Sequence, residues 1–257
     1  MAPWSIDELH GPDGEDWRVP VSELESRINE LSNNLAQAGI EAALIQSPVD
    51  LYYYAGGRQN GALLIPAVDS AASTEQGGDG ATFFVRRSVE RAKFEAGADD
   101  SCLEIQKFPS LRIFAETLTN MGIDGGIGLQ LGEIPADFGQ KFKSALAPLG
   151  EGKDCTAIVH HQRETKSDWE LEMMREGAKV QRQMFEAVKQ SVTLGATELD
   201  LVAAAEEVSR RHGFGGTVQM RRFPLQCDRA VIASGRAGGV PSFFDSAIGG
   251  TGPHPMA

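Results

Sequence analysis

An α/β fold in two unequal parts is predicted for this 257-residue chain. Between Ser22 and about His160, short apolar runs of strand length alternate with amphipathic helical stretches, the pattern of a sheet covered by helices. At Ser167-Asp168-Trp169-Glu170 a strongly signalled helix start separates that half from the rest, because a serine followed three residues later by a glutamate can close a capping box. Hydrophobic content of 41% and charged content of 23% are ordinary for a globular protein.

Residues 1–21 read as an irregular arm, since Pro3, Gly11, Pro12 and Gly14 interrupt any periodicity. Ser22 to Glu25 reads as a capping box for a helix whose apolar face is Leu24, Ile28, Leu31 and Leu35, with Gly39 as the stop. Ala42 to Ile45 is a short buried strand, and Ser47-Pro48 turns the chain into Asp50-Leu51-Tyr52-Tyr53-Tyr54. Gly61 to Ile65 is a strand ended by Pro66, and the glycine-rich stretch from Ala67 to Gly80 is a loop. Strands are expected at Thr82–Val85 and Leu103–Ile105, and helices at Ser88–Glu95, Leu111–Met121 and after Pro135. Gly125-Gly126-Ile127-Gly128-Leu129 reads as a glycine-bordered strand rather than a phosphate loop, because its glycines lack the G-x-G-x-x-G spacing. Cys155 to Val159 is expected as the last strand of this half. His160 and His161, being adjacent, would then point to opposite faces and could not both bind one metal.

Behind Ser167 a long helix is expected to bury a stripe of Trp169, Met173, Val180, Met184 and Val188. Thr197-Glu198-Leu199-Asp200 caps a second helix with Leu201, Ala205, Val208 and His212 on one face, His212 packing there rather than ligating. Two strands, Val218–Arg222 and Ala230–Ala233, follow. No internal repeat is apparent.

A formal net charge of −12 and a pI near 4.9 exclude a nucleic-acid backbone or an anionic membrane as the main partner. Asp7, Glu8, Asp13, Glu15 and Asp16 fill the place where a signal peptide needs positive charge and an apolar core. No apolar run approaches the ~20 residues of a membrane span. Cys102, Cys155 and Cys227 are scattered and odd in number, which fits reduced thiols in a cytoplasm.

Arg163, Lys166, Ser167 and Glu170, between a sheet-forming half and a long helix, resemble position by position the interdomain junction of the creatinase, prolidase and aminopeptidase P family. The order helix, glycine, strand, Pro-turn and Tyr53-Tyr54-Ala55-Gly56 is similar to the opening of that family's N-terminal domain. Ala233-Ser234-Gly235 resembles its strand-ending Ser-Gly. The resemblance implies a creatinase-like N-terminal domain over residues 22–162, a mixed sheet flanked by helices. Residues 163–257 would then be the first, incomplete part of a "pita-bread" α+β domain. For Tyr53 and Tyr54 the residues themselves suggest core packing with hydroxyls at the edge; the alternative is a rim facing a neighbouring active site.

The family resemblance also implies two divalent metals (Mn, Co or Zn for a full-length member), held by a pair of aspartates, a histidine and two glutamates beyond the Ser-Gly element. Such metals activate a water and polarise the scissile carbonyl. After Glu207 this sequence has no glutamate, and its only aspartates there are Asp228 and Asp245. Ser242 stands after Pro241 where the family pattern expects a substrate-contacting histidine, and Pro253-His254 comes later, His254 reading as a loop histidine. No catalytic, cofactor-binding or metal residue is therefore assigned. The expected function is the N-terminal portion of a metal-dependent Xaa-Pro aminopeptidase or dipeptidase-like hydrolase, inactive as it stands. The alternative is a non-catalytic relative that binds protein or peptide. A homo-oligomer is expected, with a peptide as substrate of the full-length form.

Overall fold

The computed structural model describes residues 16, 18–71, 80–216 and 232–240. The chain divides into two compact units, Met1–Thr165 and Lys166–Ala257.

The first unit is a six-stranded mixed sheet with helices on both faces. Its strands are β1 (Ala42–Ile45), β2 (Gly61–Pro66), β3 (Thr82–Val85), β4 (Glu104–Lys107), β5 (Ile127–Leu129) and β6 (Lys153–Asp154), in the order β4-β3-β2-β1-β5-β6. β2 runs antiparallel to both neighbours, and the pairs β3–β4, β1–β5 and β5–β6 are parallel. All strands except β2 therefore end at the same edge. Every residue of β1, β2 and β3 is buried, which explains why they read as unbroken apolar runs rather than alternating ones.

One face is covered by α1 (Val21–Gln37), α2 (Pro48–Ala55) and α6 (Thr156–Gln162). The expected face of α1 is the one that packs, with Leu24, Ile28, Leu31 and Leu35 all buried. Its expected capping box is absent: the helix begins at Val21 with Pro20 at the N-cap, so Ser22 already lies inside the first turn and makes no cap hydrogen bond. α2 forms because Pro48 sits where a helix lacks its hydrogen bonds anyway. It ends because Gly56 adopts φ +70, and a Cβ there would meet the Glu95 carbonyl oxygen at 2.5 Å. The other face is an aromatic cluster. Phe84, Phe108, Phe114 and Phe142 meet at ring-centroid distances of 4.9 to 6.3 Å under α4 (Phe114–Asn120) and α5 (Ala136–Leu146). α3 (Val89–Glu95) follows β3. β4 begins one residue later than expected, and Leu111–Ile113 is a 3₁₀ turn leading into α4.

The largest correction falls at Cys155–Val159, which is not a strand. β6 stops at Asp154, and helix α6 takes over from Thr156. The Asp154 carboxylate accepts from the Thr156 amide at 2.9 Å and its hydroxyl at 2.5 Å, satisfying the first-turn donors that a helix start leaves open.

In the second unit, α7 (Asp168–Ser191) starts with the expected capping box. The Glu170 amide donates to Ser167 Oγ at 3.1 Å and the Ser167 amide donates to Glu170 Oε2 at 3.0 Å. α8 (Glu198–Arg211) has the corresponding box, with Asp200 returning the bond to Thr197. The stripe expected to be buried on α7 is not. Trp169, Val180, Met184 and Val188 are half-buried and Met173 is exposed. A face is buried only when a layer covers it, and α8 is the long helix that packs on α7 among the described residues. Ala205 and Ser209 are the buried residues of α8. His212, expected on its packed face, is exposed, with Nε2 at 2.7 Å from Gln183 Oε1. The strand expected at Val218–Arg222 lies outside the described residues. Of Ala230–Ala233, only Ile232 and Ala233 are described, in non-strand conformation, and Gly235–Gly238 is a short helical turn.

Candidate functional site

Strand carboxyl ends are where open α/β sheets present polar groups, and here they carry a buried polar network. Asp50, fully buried on α2, accepts from Arg163 Nη1 at 2.6 Å and from Gln130 Nε2 at 2.7 Å. Gln130, just past β5, accepts in turn from the Gln46 and Ser47 amides at 2.7 and 2.9 Å. Beside it, Tyr54 donates to Gln162 Oε1 at 2.9 Å, and Gln162 donates to the Arg27 carbonyl at 2.8 Å. Arg27 lies over the Tyr53 ring at 4.1 Å. Burial, with Tyr53 and Asp50 nearby, pushes the Tyr54 hydroxyl well above its ordinary 10, so it serves as a neutral donor. Tyr53 and Tyr54 are thus core residues, and Tyr52 is the exposed one of the three. These bonds run between α2, α6 and the β1 end and fasten the three together.

The glycine stretch behaves as expected. The Asp124 and Gly125 amides, the donors a phosphate would need, are held by the Glu41 carboxylate at 3.1 and 2.9 Å. His160 and His161 sit on α6, not on a strand. His160 Nε2 lies 2.7 Å from Glu133 Oε1, and His161, largely exposed, lies 3.3 Å from Glu164. Burial drives the Cys155 thiol up to about 12, with Asp154 adding to the effect, so it is protonated and inert as a nucleophile.

Among the described residues no group of three or more His, Cys, Asp or Glu side chains comes together as a metal would require. No step is routed through the dimetal centre that the family resemblance implies. Asp228, Ser242, Asp245 and His254 lie outside the described residues.

An open cleft remains, of ≈ 470 Å³, between the end of α2 and α3. Pro48, Tyr52, Gly56, Gly57, Arg58, Gln59, Arg91 and Glu95 line it. Glu95 is matched by Arg91 at 2.8 Å and Gln59 at 3.1 Å, whereas Arg58 is exposed and has no hydrogen-bond or ion-pair partner among the described residues. The sequence reading missed this cleft and the Asp50–Arg163 pair. The first is signalled only by a glycine pair followed by arginine. The second joins positions 113 apart and carries no local signal.

Residues 27–165 match the Creatinase/Prolidase N-terminal domain. An uncharacterized hydrolase/peptidase of Sinorhizobium fredii is 25% identical over 217 residues, covering 77% of this chain and 53% of the relative. Among solved structures, an Xaa-Pro dipeptidase from Bacillus anthracis has the same fold with a TM-score of 0.60 and 20% identity, over 74% of this chain and 50% of that one. Dipeptidase PepE from Mycobacterium ulcerans follows with a TM-score of 0.58 and 20% identity, over 76% and 51%. The chain spans about half the length of these relatives. With a matching domain that covers the sheet and both of its helical layers, the chain belongs to the creatinase/prolidase N-terminal domain family.

Proposed function

We propose that this chain is the N-terminal portion of a metal-dependent Xaa-Pro aminopeptidase or dipeptidase-like hydrolase. In this reading residues 22–162 are its N-terminal domain and residues 163–257 the first part of its pita-bread domain. The carrying observation is the extent of the likeness. The Sinorhizobium hydrolase/peptidase aligns over 77% of the chain, more than the first unit's 165 residues can supply, so the likeness continues into the second unit. The reaction class comes from the relatives' names, an Xaa-Pro dipeptidase and a hydrolase/peptidase, and the metal dependence from the family resemblance of the junction residues Arg163, Lys166, Ser167 and Glu170. The 257 residues alone bind no dimetal pair tightly, because hard divalent ions need several oxygen donors at fixed geometry.

Calorimetric titration of Mn, Co or Zn into the purified chain, beside an assay with proline dipeptides, tests this. The expected result is no tight binding of two metals and no turnover. Stoichiometric binding of two metals with metal-dependent cleavage would overturn it. Saturable binding of a peptide without turnover would instead support the non-catalytic, binding-module reading.

A further inference from the structure

The edge at which all strands but β2 end is unequal in charge. On its β5–β6 half the carboxylates are already held: Glu133 faces His160, and Asp154 accepts from Thr156 and Leu131. On the other half, cations collect where β2 begins and where β3 and β4 end. Arg58 stands just before β2 and lines the cleft. Arg86 and Arg87 follow β3, and Lys107 closes β4 beside Val85. The Arg86 amide donates to the Asn60 carbonyl at 2.8 Å, which ties the end of β3 to the start of β2, and its guanidinium lies 4.4 Å over the Phe108 ring. Arg58, Arg86, Arg87 and Lys107 are all exposed, and none has a carboxylate partner among the described residues. The carboxylates of α3 are engaged within the helix, Glu90 with Lys93 and Glu95 with Arg91. In a chain of net charge −12 this row is a local reversal of sign, and like charges held together repel until an anion joins them.

We propose that this edge, with the cleft beside it, binds an acidic peptide segment of a partner protein in extended form. Spacing decides for a peptide over a small anion. Neighbouring strands lie ~4.8 Å apart, so cations spread over β2, β3 and β4 span ~10 Å. One phosphate or one carboxylate reaches only part of that width. In an extended peptide, acidic side chains two residues apart share a face and repeat every ~7 Å, so successive ones meet the row in turn. The arginines present forked N–H groups suited to carboxylates. Arg91 adds to them at the cleft, since it engages Glu95 through Nε and keeps its terminal nitrogens. Tyr52, 45% exposed in the cleft, offers a ring to the peptide's apolar side chains. A long nucleic acid fits less well, because beyond the row it meets a chain of its own sign. The inference is independent of the peptidase reading and is tested by binding, so its failure leaves that reading standing.

The experiment is fluorescence anisotropy on the full chain with a labelled peptide of alternating glutamate and alanine, and with the same peptide carrying lysine for glutamate. The expected result is saturable one-to-one binding of the glutamate peptide, weakened by salt, and none of the lysine peptide. Arg58→Ala and Arg87→Ala are each expected to weaken binding about five-fold, the effect of losing one favourable exposed ion pair. Lys141→Ala, which removes an exposed cation already paired with Asp137 on α5, leaves it unchanged. Both arginines are exposed, so the urea midpoints of their variants stay at the wild-type value. The proposal is overturned if the glutamate peptide does not saturate, if Lys141→Ala weakens it as much as Arg58→Ala, or if neither arginine variant weakens it. Inorganic phosphate binding as tightly as the peptide would make the row a simple oxyanion site and overturn the peptide reading. So would a single-stranded oligonucleotide of equal charge that binds more tightly and is equally sensitive to Arg58→Ala.

Discussion

Cys155 lies between two states of the chain that its neighbours decide. Its side chain fills the space above Gly128, where a Cβ on the glycine would meet its sulfur at 3.2 Å, and its amide donates to the Leu129 carbonyl at 3.0 Å. Desolvation opposes its thiolate, which moves its titration to about 12 from an ordinary 9.0. The sign follows: the neutral thiol favours the folded state fully below 9.0, and that contribution is lost as pH rises from 9.0 towards 12, where only the unfolded chain ionises freely. Alkylation with iodoacetamide at pH 8.5 should therefore spare Cys155 in the native chain and modify it in urea; rapid native modification, read by peptide mapping, would contradict this. Asp50 presents a different residue-scale case. It is a buried carboxylate that a sequence reader sees only as polar, because both partners arrive from distant positions, Gln130 and Arg163. The two tyrosines beside it were legible, since a Tyr-x-x-Gly stretch between two apolar runs already suggests core packing.

The turn at Asp154 shows where local pattern and tertiary contact disagree. Cys155-Thr156-Ala157-Ile158-Val159 is rich in β-branched residues and reads as a strand. The carboxylate of Asp154 overrules that propensity by holding the Thr156 amide, and it also accepts from the Leu131 amide at 3.2 Å. That second bond comes from a segment 23 residues away, which no window of local sequence contains. Burial works to raise the Asp154 carboxyl, but the hydrogen bonds from Thr156 and Leu131 together outweigh it and hold it below 3.8. Its stabilising contribution is therefore complete above the ordinary carboxylate range and is lost as pH falls through the lowered value. Asp154→Ala should cost about 1–2 kcal/mol in urea unfolding at pH 7, as loss of a helix cap does, with a smaller difference from wild type at acid pH. A variant as stable as wild type at pH 7 would remove this turn as the cause of the helix. The α1 face and the Ser167 box needed no such help, because apolar spacing and a serine–glutamate pair are both contained within one helix.

Across the whole molecule, the two units differ in how completely they cover their apolar surface. The first buries both faces of its sheet, one under α1, α2 and α6 and the other under α4 and α5. In the second, no residue of α7 is buried. Its helical spacing gives it two apolar sides. Trp169, Val180, Met184 and Val188 form one; Leu171, Met174 and Phe185 fall within ~60° of one another on the other, at 100° per residue. Met174 is 59% exposed and Phe185 66%. A helix apolar on two sides belongs in a layer between others, and contiguous apolar patches on a surface recruit partners. The 257-residue chain should therefore self-associate. Light scattering should show a mass rising with concentration. Phe185→Ser with Met174→Ser should reduce that rise without lowering the stability of the sheet domain, since both side chains belong to the second unit and are exposed. The charge of −12 opposes association at low ionic strength and is screened by salt, so the self-associated fraction should grow as salt is added. A compact, heat-stable monomer at high concentration and high salt would overturn the prediction, because a face this apolar and this exposed would then have to remain in water at no cost.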